Sequence, residues 1–328
     1  MHKREKIEQL KLLTSKMISL KEVCKSLELN DYEVLGFMRE LRLEGINISI
    51  QKRDDDIYMF NQGERELSYD NNYKFYTDDY NEFKFVAISD TRFGSKYQQL
   101  SILNDIYIKA DKWGYNNVIL CGNISEGLYP FNNIYSEDNF LDDTLQQVDF
   151  ITQYYPCIEG INTYFITGKK DEKHLKNNKI NLGKRISDIR SDMIYLGHGS
   201  CDVSIDKVNM LVFNSKLEKT YTASYRAQQQ VDSFRSEDKP DIVLFGGLLQ
   251  MDKFPYRNVQ CLSVPSVCAT TREMNDKRHS NTIGAWYVTV TTDKYGNLEN
   301  VKARDSVYYK TNKDDYTKRK VLRLKKDN

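Results

Sequence analysis

Phe85-Val-Ala-Ile-Ser-Asp-Thr-Arg-Phe-Gly94 decides how this 328-residue chain is read. Phe85 to Ser89 is a short apolar run of strand length, and Asp90 to Gly94 is a tight polar turn. The same pattern returns in Val118-Ile-Leu-Cys-Gly-Asn123 and in Tyr164-Phe-Ile-Thr-Gly-Lys-Lys-Asp171. Runs without polar alternation predict strands buried on both faces, and turns just past the carboxyl ends of such strands are where α/β folds place their ligands.

Working outward, strand and helix patterns alternate. Gln98–Trp113 carries Leu100, Ile102, Leu103 and Ile106 at helical spacing, and Asp142–Tyr154 reads as a second helix. Thr163–Thr167, Met193–Tyr195, Met210–Phe213, Ile242–Phe245 and Trp286–Thr292 read as further strands. This alternation predicts an α/β sandwich with internal strands.

Composition bounds the rest. With 48 basic and 47 acidic residues the formal charge is +1, so any nucleic-acid surface must be local. No run approaches the roughly 18 apolar residues a membrane span needs, and no apolar signal segment follows Met1-His-Lys-Arg-Glu-Lys6. Cys24, Cys121, Cys157, Cys201, Cys261 and Cys268 are scattered without a Cys-x-x-Cys pair. Reduced thiols and a cytoplasmic location are expected from that pattern.

Residues 1–62 read differently. Ile7, Leu10 and Leu13 sit at helical spacing, and Ser19-Leu-Lys-Glu22 is a capping box opening a helix with Val23 and Leu27. Asn30-Asp-Tyr-Glu33 resembles the same cap, ahead of a helix with Val34, Phe37, Met38 and Leu41 inward and Gly45 at its end. Ile46–Ile50 and Ile57–Phe60 are short strands around Asp54-Asp-Asp56. That order resembles a winged helix-turn-helix, a common DNA-binding module. Arg39, Arg42, Lys52 and Arg53 are its candidate phosphate contacts, although Asp31 and Glu33 open the third helix with charge that phosphates repel. The bland reading is a small protein-docking domain. Residues 63–82 are polar and acidic and read as a linker, residues 83–310 as the α/β domain, and residues 311–328 as a basic tail. That tail carries six bases in nine positions between Lys318 and Lys326.

Over roughly residues 83–300 the turns resemble, in order, those of the calcineurin-like metallophosphoesterase superfamily. The tract Pro255-Tyr-Arg-Asn-Val259 through Leu262-Ser-Val-Pro-Ser266, with Ile283-Gly-Ala-Trp286, resembles winged-helix members and the archaeal DNA polymerase small-subunit group. The resemblance implies a four-layer β-sandwich flanked by helices and two metals held by Asp, His and Asn to activate water. The residues at the family positions depart from that set. Asp-x-His is Asp90-Thr91-Arg92, and Gly-Asp is Gly122-Asn123. Gly-Asn-His-Asp is Gly168-Lys169-Lys170-Asp171, a later His falls near Phe213-Asn214, and Gly-His-x-His is Gly246-Gly247-Leu248-Leu249.

A neutral Asn123 makes no charged bridge between two divalent ions, Leu249 offers no donor atom, and Lys169 would compete with a metal for the same space. His2, His174, His198 and His279 all lie elsewhere. No catalytic residue, metal or other cofactor is therefore expected. Arg92, Lys169 and Lys170 suggest either a metal-free phosphate pocket or cations that pair with Asp90 and Asp171 to neutralise a decayed cleft.

The resulting expectation is a non-catalytic, DNA-associated scaffold with DNA and protein partners, in replication, repair, or phage or plasmid maintenance. The inactivated small subunits of eukaryotic replicative polymerases are a precedent within the same resemblance. The alternatives are a phosphodiesterase or nuclease with an unorthodox site, and a winged-helix transcriptional regulator.

Overall fold

In a computed structural model the chain divides into two compact units, Met1–Asp70 and Asn71–Asn328. The structure describes residues 3–14, 18–43, 46–53, 56–64, 72–129, 133–215, 224–236, 238–317 and 323–324. Gly45, Asp54, Asp55, most of the 63–71 stretch and most of the basic run after Thr317 lie outside them.

The first unit runs α1 (Lys3–Leu13), β1 (Ile18–Ser19), α2 (Leu20–Leu27), α3 (Asp31–Leu43), β2 (Ile46–Arg53) and β3 (Asp56–Glu64). The two strands form a hairpin that β1 extends, giving the sheet order β1-β3-β2. Both expected caps are made. The Ser19 hydroxyl accepts from the Glu22 N–H while the Glu22 carboxylate accepts from the Ser19 N–H, and Asn30 and Glu33 exchange the same pair of bonds. Ile7, Leu10, Val23, Leu27, Val34, Met38, Leu41 and Met59 close its core. Leu13 and Phe37 are packed against that core at its edge.

The second unit continues with β4 (Asn72–Phe75), β5 (Glu82–Ile88), α4 (Leu100–Lys112), β6 (Asn117–Cys121), α5 (Thr144–Tyr154), β7 (Cys157–Ile158) and β8 (Asn162–Thr167). Then come α6 (Glu172–Asn178), α7 (Leu182–Ile189), β9 (Met193–His198), β10 (Ser200–Ile205), β11 (Val208–Asn214), α8 (Tyr225–Asp232) and β12 (Ile242–Gly246). It closes with β13 (Asp252–Tyr256), β14 (Val259–Ser263), α9 (Arg272–Asp276), β15 (Gly284–Thr292), β16 (Leu298–Val307) and β17 (Arg323–Leu324). Two six-stranded mixed sheets result, β16-β15-β5-β6-β8-β9 and β13-β14-β12-β11-β10-β4.

Strand periodicity builds the layers. Along β5, Phe85 and Ala87 face the second sheet, where they meet Met210, Val212, Leu244 and Leu262. Val86 and Ile88 point the other way, onto Leu103 and Ile106 of α4 and Ile151 of α5. The outer face of the second sheet packs Val243, Phe245 and Cys261 against Ala227 and Val231 of α8. The four-layer α/β sandwich expected from the sequence is the fold observed.

Two boundaries differ from expectation. β4 lies inside the 63–82 stretch read as a linker, yet it pairs in parallel with β10 as an edge strand of the second sheet. Phe75 is the reason: it is buried in the inter-sheet core and meets the rings of Phe83 and Tyr164. The 311–328 stretch read as a tail also contributes structure. The Asp315 carboxylate caps the start of α4 through the Ser101 N–H and hydroxyl, and β17 pairs with β7. All six cysteines are free. Among the described residues no helix is long and apolar enough to cross a membrane.

Candidate functional site

β5, β6 and β8 run parallel in one sheet, and β11 and β12 run parallel in the other. Their carboxyl ends converge, and the sequence supplies the small residues that convergence needs. A Cβ on Gly246 would lie 1.9 Å from the Cys121 carbonyl oxygen, and one on Gly168 would lie 2.5 Å from the side-chain oxygens of both Asn123 and Asn214. Four side-chain-bearing residues in these turns hold positive φ: Asp90 at 51°, Arg92 at 47°, Asn123 at 56° and Leu249 at 61°. Such angles cost free energy and persist where the surroundings fix them, a pattern that clusters at functional sites.

The turns bring Asp90, Arg92, Asn123, Lys169, Lys170, Asp171, Asn214, Gly247 and Leu249 to one end of the sandwich. Asp90 is fully buried, and both of its oxygens are occupied. Oδ1 accepts from Arg92 Nε at 3.2 Å, Arg92 Nη2 at 3.1 Å and Asn123 Nδ2 at 2.9 Å, while Oδ2 accepts from the Ser89 hydroxyl at 2.7 Å. Arg92 reaches on through Nη1 to Glu126 at 3.4 Å. Lys170 also binds Glu126, at 2.6 Å, and donates to Tyr129 and to Glu273 of α9, both at 2.7 Å. The result is a chain of alternating charge, Asp90–Arg92–Glu126–Lys170–Glu273, ending on Lys277 at 2.6 Å.

Burial and charge pull these groups in opposite directions. Desolvation alone would lower Arg92, yet Glu126 and Asp90 hold its pKa above the usual arginine value. Desolvation would raise Glu126, but the Arg92 and Lys170 cations win and hold it below the usual carboxylate value. Burial likewise works upward on Glu273, and Lys170 and Lys277 bring it down to about 2. Buried ions are tolerated when paired and hydrogen-bonded, which is the case along this chain.

Asp171 does something else. It accepts from the N–H groups of Gly168, Ile124 and Ser125 and from the Ser125 hydroxyl, tying the β8 turn to the loop after β6. The expected pairing of Asp171 with a lysine is absent among the described residues. Burial pushes its pKa up to about 6. The Ser125 hydroxyl, already donating to Asp171, takes the Nε2–H of buried His174 at 2.9 Å, and His174 Nδ1 accepts from Thr144 at 2.9 Å. Burial brings His174 down to about 4, so the ring is a neutral core residue.

A divalent metal does not fit the donor set at Asp90. Arg92 and Asn123 aim N–H groups at the carboxylate oxygen that would face an ion, and the guanidinium fills the space between Asp90 and Glu126. Asn214 donates its amide to the Cys121 carbonyl at 2.7 Å, and its oxygen accepts from the Lys169 N–H at 3.3 Å. Leu249 is buried and apolar. Gly247 contributes a backbone N–H to the Ser89 hydroxyl. Among the described residues no group of three His, Cys, Asp or Glu side chains could hold a metal ion.

Of the candidate phosphate contacts, Arg92 and Lys170 give their donors to carboxylates, and half-exposed Lys169 pairs with Glu172 at 2.7 Å. A cleft of about 450 Å³ opens above them, lined also by Lys173, Lys176, Ser215, Glu273, Lys277 and His279. Sequence reasoning missed Glu126, Tyr129, Glu273 and Lys173. Glu126 lies three residues past Asn123 and was within reach of a local reading. Glu273 is 147 residues beyond Glu126 and carried no local signal. In the first unit Arg39 and Arg42 fall on α3, and Lys52 and Arg53 on β2. The described exposed residues of α3 are Asp31, Tyr32, Glu33, Leu35 and Gly36, which are acidic, apolar or uncharged.

No protein-family model matches the sequence, and no curated protein matches it. Among solved structures the chain is similar to an archaeal phosphodiesterase at 13% identity, covering 69% of this chain and 100% of that one with a TM-score of 0.40. It is similar to Vps29 of Entamoeba histolytica complexed with zinc at 11% identity, covering 69% and 99% with a TM-score of 0.35. A putative 5′-nucleotidase of Staphylococcus aureus is 13% identical, with 73% of this chain and 57% of that one covered and a TM-score of 0.35. Likenesses of this degree carry nothing about activity, and the chemistry of the site rests on its own atoms.

Proposed function

We propose that the chain is a non-hydrolytic member of the calcineurin-like phosphoesterase superfamily, acting as a DNA-associated scaffold. The observation that carries the non-hydrolytic part is the Asp90 carboxylate, whose oxygens are saturated by Arg92, Asn123 and Ser89. A metal-activated water needs open coordination at that carboxylate, and here a fixed guanidinium takes the place of ion charge. What remains is a rigid sandwich end whose loops are stitched together by internal ion pairs, a surface suited to docking a partner.

The DNA-linked part rests on the first unit. Three helices followed by a hairpin, with β1 added to the hairpin edge, is the order of a winged helix. Arg39, Arg42, Lys52 and Arg53 are the residues assigned to phosphates. The acidic start of α3 faces a protein partner better than it faces DNA. Binding through the α3–β2 basic residues is therefore a backbone contact with little base reading.

Two assays on the full chain test the two parts. Phosphodiester hydrolysis with manganese should stay at the level of the uncatalysed control, and turnover lost in Asp90→Ala would restore the enzyme reading. Fluorescence anisotropy with duplex DNA across a salt series should show affinity that falls with salt and drops in Arg39→Glu/Arg42→Glu. Affinity unchanged by that double reversal would remove DNA from the proposal and leave a protein scaffold.

A further inference from the structure

The charge ledger of the cleft singles out one amine. Arg92, Lys170 and Lys277 face Asp90, Glu126 and Glu273, three cations against three carboxylates. Lys169 and Lys176 share the single carboxylate of Glu172, at 2.7 and 2.8 Å. The Lys173 amine makes no ion pair and no side-chain hydrogen bond among the described residues; only its backbone N–H is bonded, to the Lys170 carbonyl at 3.4 Å. Its ammonium nitrogen sits 3.9 Å from the centroid of the Tyr129 ring, half-buried in the cleft wall. Lys170 stands over the same ring at 5.0 Å. The cleft thus holds an excess of two positive charges, one shared between exposed rim lysines and one on an amine that lacks an acceptor.

We propose that Lys173 is a nucleophilic amine, and that its cleft captures small anionic carbonyl compounds, such as phosphate-bearing aldehydes, as a reversible imine. Two physical conditions make a lysine nucleophilic, desolvation and a neighbouring cation, and Lys173 meets both. Burial and Lys170 depress its pKa, partly offset by Glu126 and Glu273, to about 8, with Arg92 adding to the depression. Contact with the Tyr129 face favours the ammonium and so works against that shift without reversing it. The rim pair Lys169 and Lys176 supplies the charge that holds the anionic end of the ligand.

The chemistry balances without a further reagent. The lone pair of the neutral amine attacks the carbonyl carbon, and the carbonyl π electrons move to oxygen, which takes a proton. The carbinolamine then loses water as the nitrogen lone pair forms the C=N bond and the last N–H proton leaves to solvent. One amine and one aldehyde give one imine and one water, with no change of oxidation state. The step uses no metal and is independent of whether the chain hydrolyses phosphodiesters.

Pyridoxal phosphate is the probe. The full-length protein is incubated with it at pH 7, the imine is reduced with borohydride, and the labelled lysines are mapped by peptide mass spectrometry. At pH 7 an amine with a pKa near 8 is about one-tenth neutral, against fewer than about one in a thousand for an ordinary lysine. Labelling at Lys173 should therefore exceed that at Lys169, Lys176 and Lys277 by at least about tenfold, despite their greater exposure. The preference should shrink as pH rises to about 10, where ordinary lysines also lose their protons. Labelling that follows exposure would overturn the proposal. Equal rates at Lys173 with pyridoxal, which lacks the phosphate, would overturn its anionic half. Lys173→Arg, which keeps the charge on Tyr129, should remove the dominant label while leaving the thermal unfolding midpoint in place.

Discussion

Replacing Arg92 with methionine deprives two buried carboxylates of the cation they share. The guanidinium makes two hydrogen bonds to Asp90 and one to Glu126, and it is only 4% exposed. Removing one partner of a buried ion pair costs about 3–5 kcal/mol, because the other partner stays desolvated and uncompensated. The lower end applies, since Asp90 keeps the Ser89 hydroxyl and the Asn123 amide, and Glu126 keeps Lys170 and Tyr129. A loss of about 3 kcal/mol lowers the unfolding midpoint of a unit this size by roughly 6–12 °C.

The effect should depend on pH in one direction. Glu126 is held below its usual pKa in the folded state, so it adds stability above the unfolded carboxylate range and loses it as pH falls. Arg92→Met reduces that contribution, so the gap to the wild type is full near pH 7 and closes only as pH falls below the ordinary glutamate value of 4.5. Urea unfolding at several pH values measures both quantities. The double variant Asp90→Asn/Arg92→Met should lose less than the sum of the singles, with a coupling of roughly 1–3 kcal/mol. A cost under about 0.5 kcal/mol that does not change with pH would refute the account of Arg92 as the internal cation of the site.

Three further outcomes follow from neighbouring features. His174, brought down to about 4, favours stability at neutral pH and costs it as pH falls from 6.5, whereas Asp171, pushed up to about 6, does the reverse over a similar range. The His174 and Asp171 contributions should thus largely cancel between pH 6 and 4, while His174→Gln should gain stability relative to wild type as pH falls; a parallel pH profile in the two proteins would contradict this. Gly246→Ala sets a Cβ against the Cys121 carbonyl and should cost roughly 3 kcal/mol or more, read as lost soluble protein or a collapsed melting midpoint. Ser19→Ala removes one bond of the α2 capping box and should cost about 1 kcal/mol, seen as faster amide exchange in α2 while the second unit is unchanged.

Features governed by local physics are legible in the order of the residues. Apolar runs ending in polar turns marked β5, β6 and β8, and helical spacing marked α4 and α5 within two residues of their ends. Ser19 and Asn30 announced their helices because a capping box is a contact between residues three apart. Departures from the ligand pattern of the superfamily that the turns resemble are likewise read one position at a time. β4 escaped because Asn72–Phe75 is a short edge strand in an acidic stretch, and only pairing with β10, about 130 positions away, makes it part of a sheet. A truncation near residue 80 would strip that strand away.

The charge network was decided by tertiary structure alone. Arg92, Glu126, Lys170 and Glu273 come from four separate turns and helices, and nothing in their spacing shows that they meet. Lys173 carries the same lesson more sharply. In the sequence it is one lysine among several between Lys169 and Lys179, and it differs from the others only in where the fold points it. Burial beside Tyr129 and the supply of carboxylates to its neighbours are set by long-range packing, and desolvation and charge distance depend on that packing rather than on residue type.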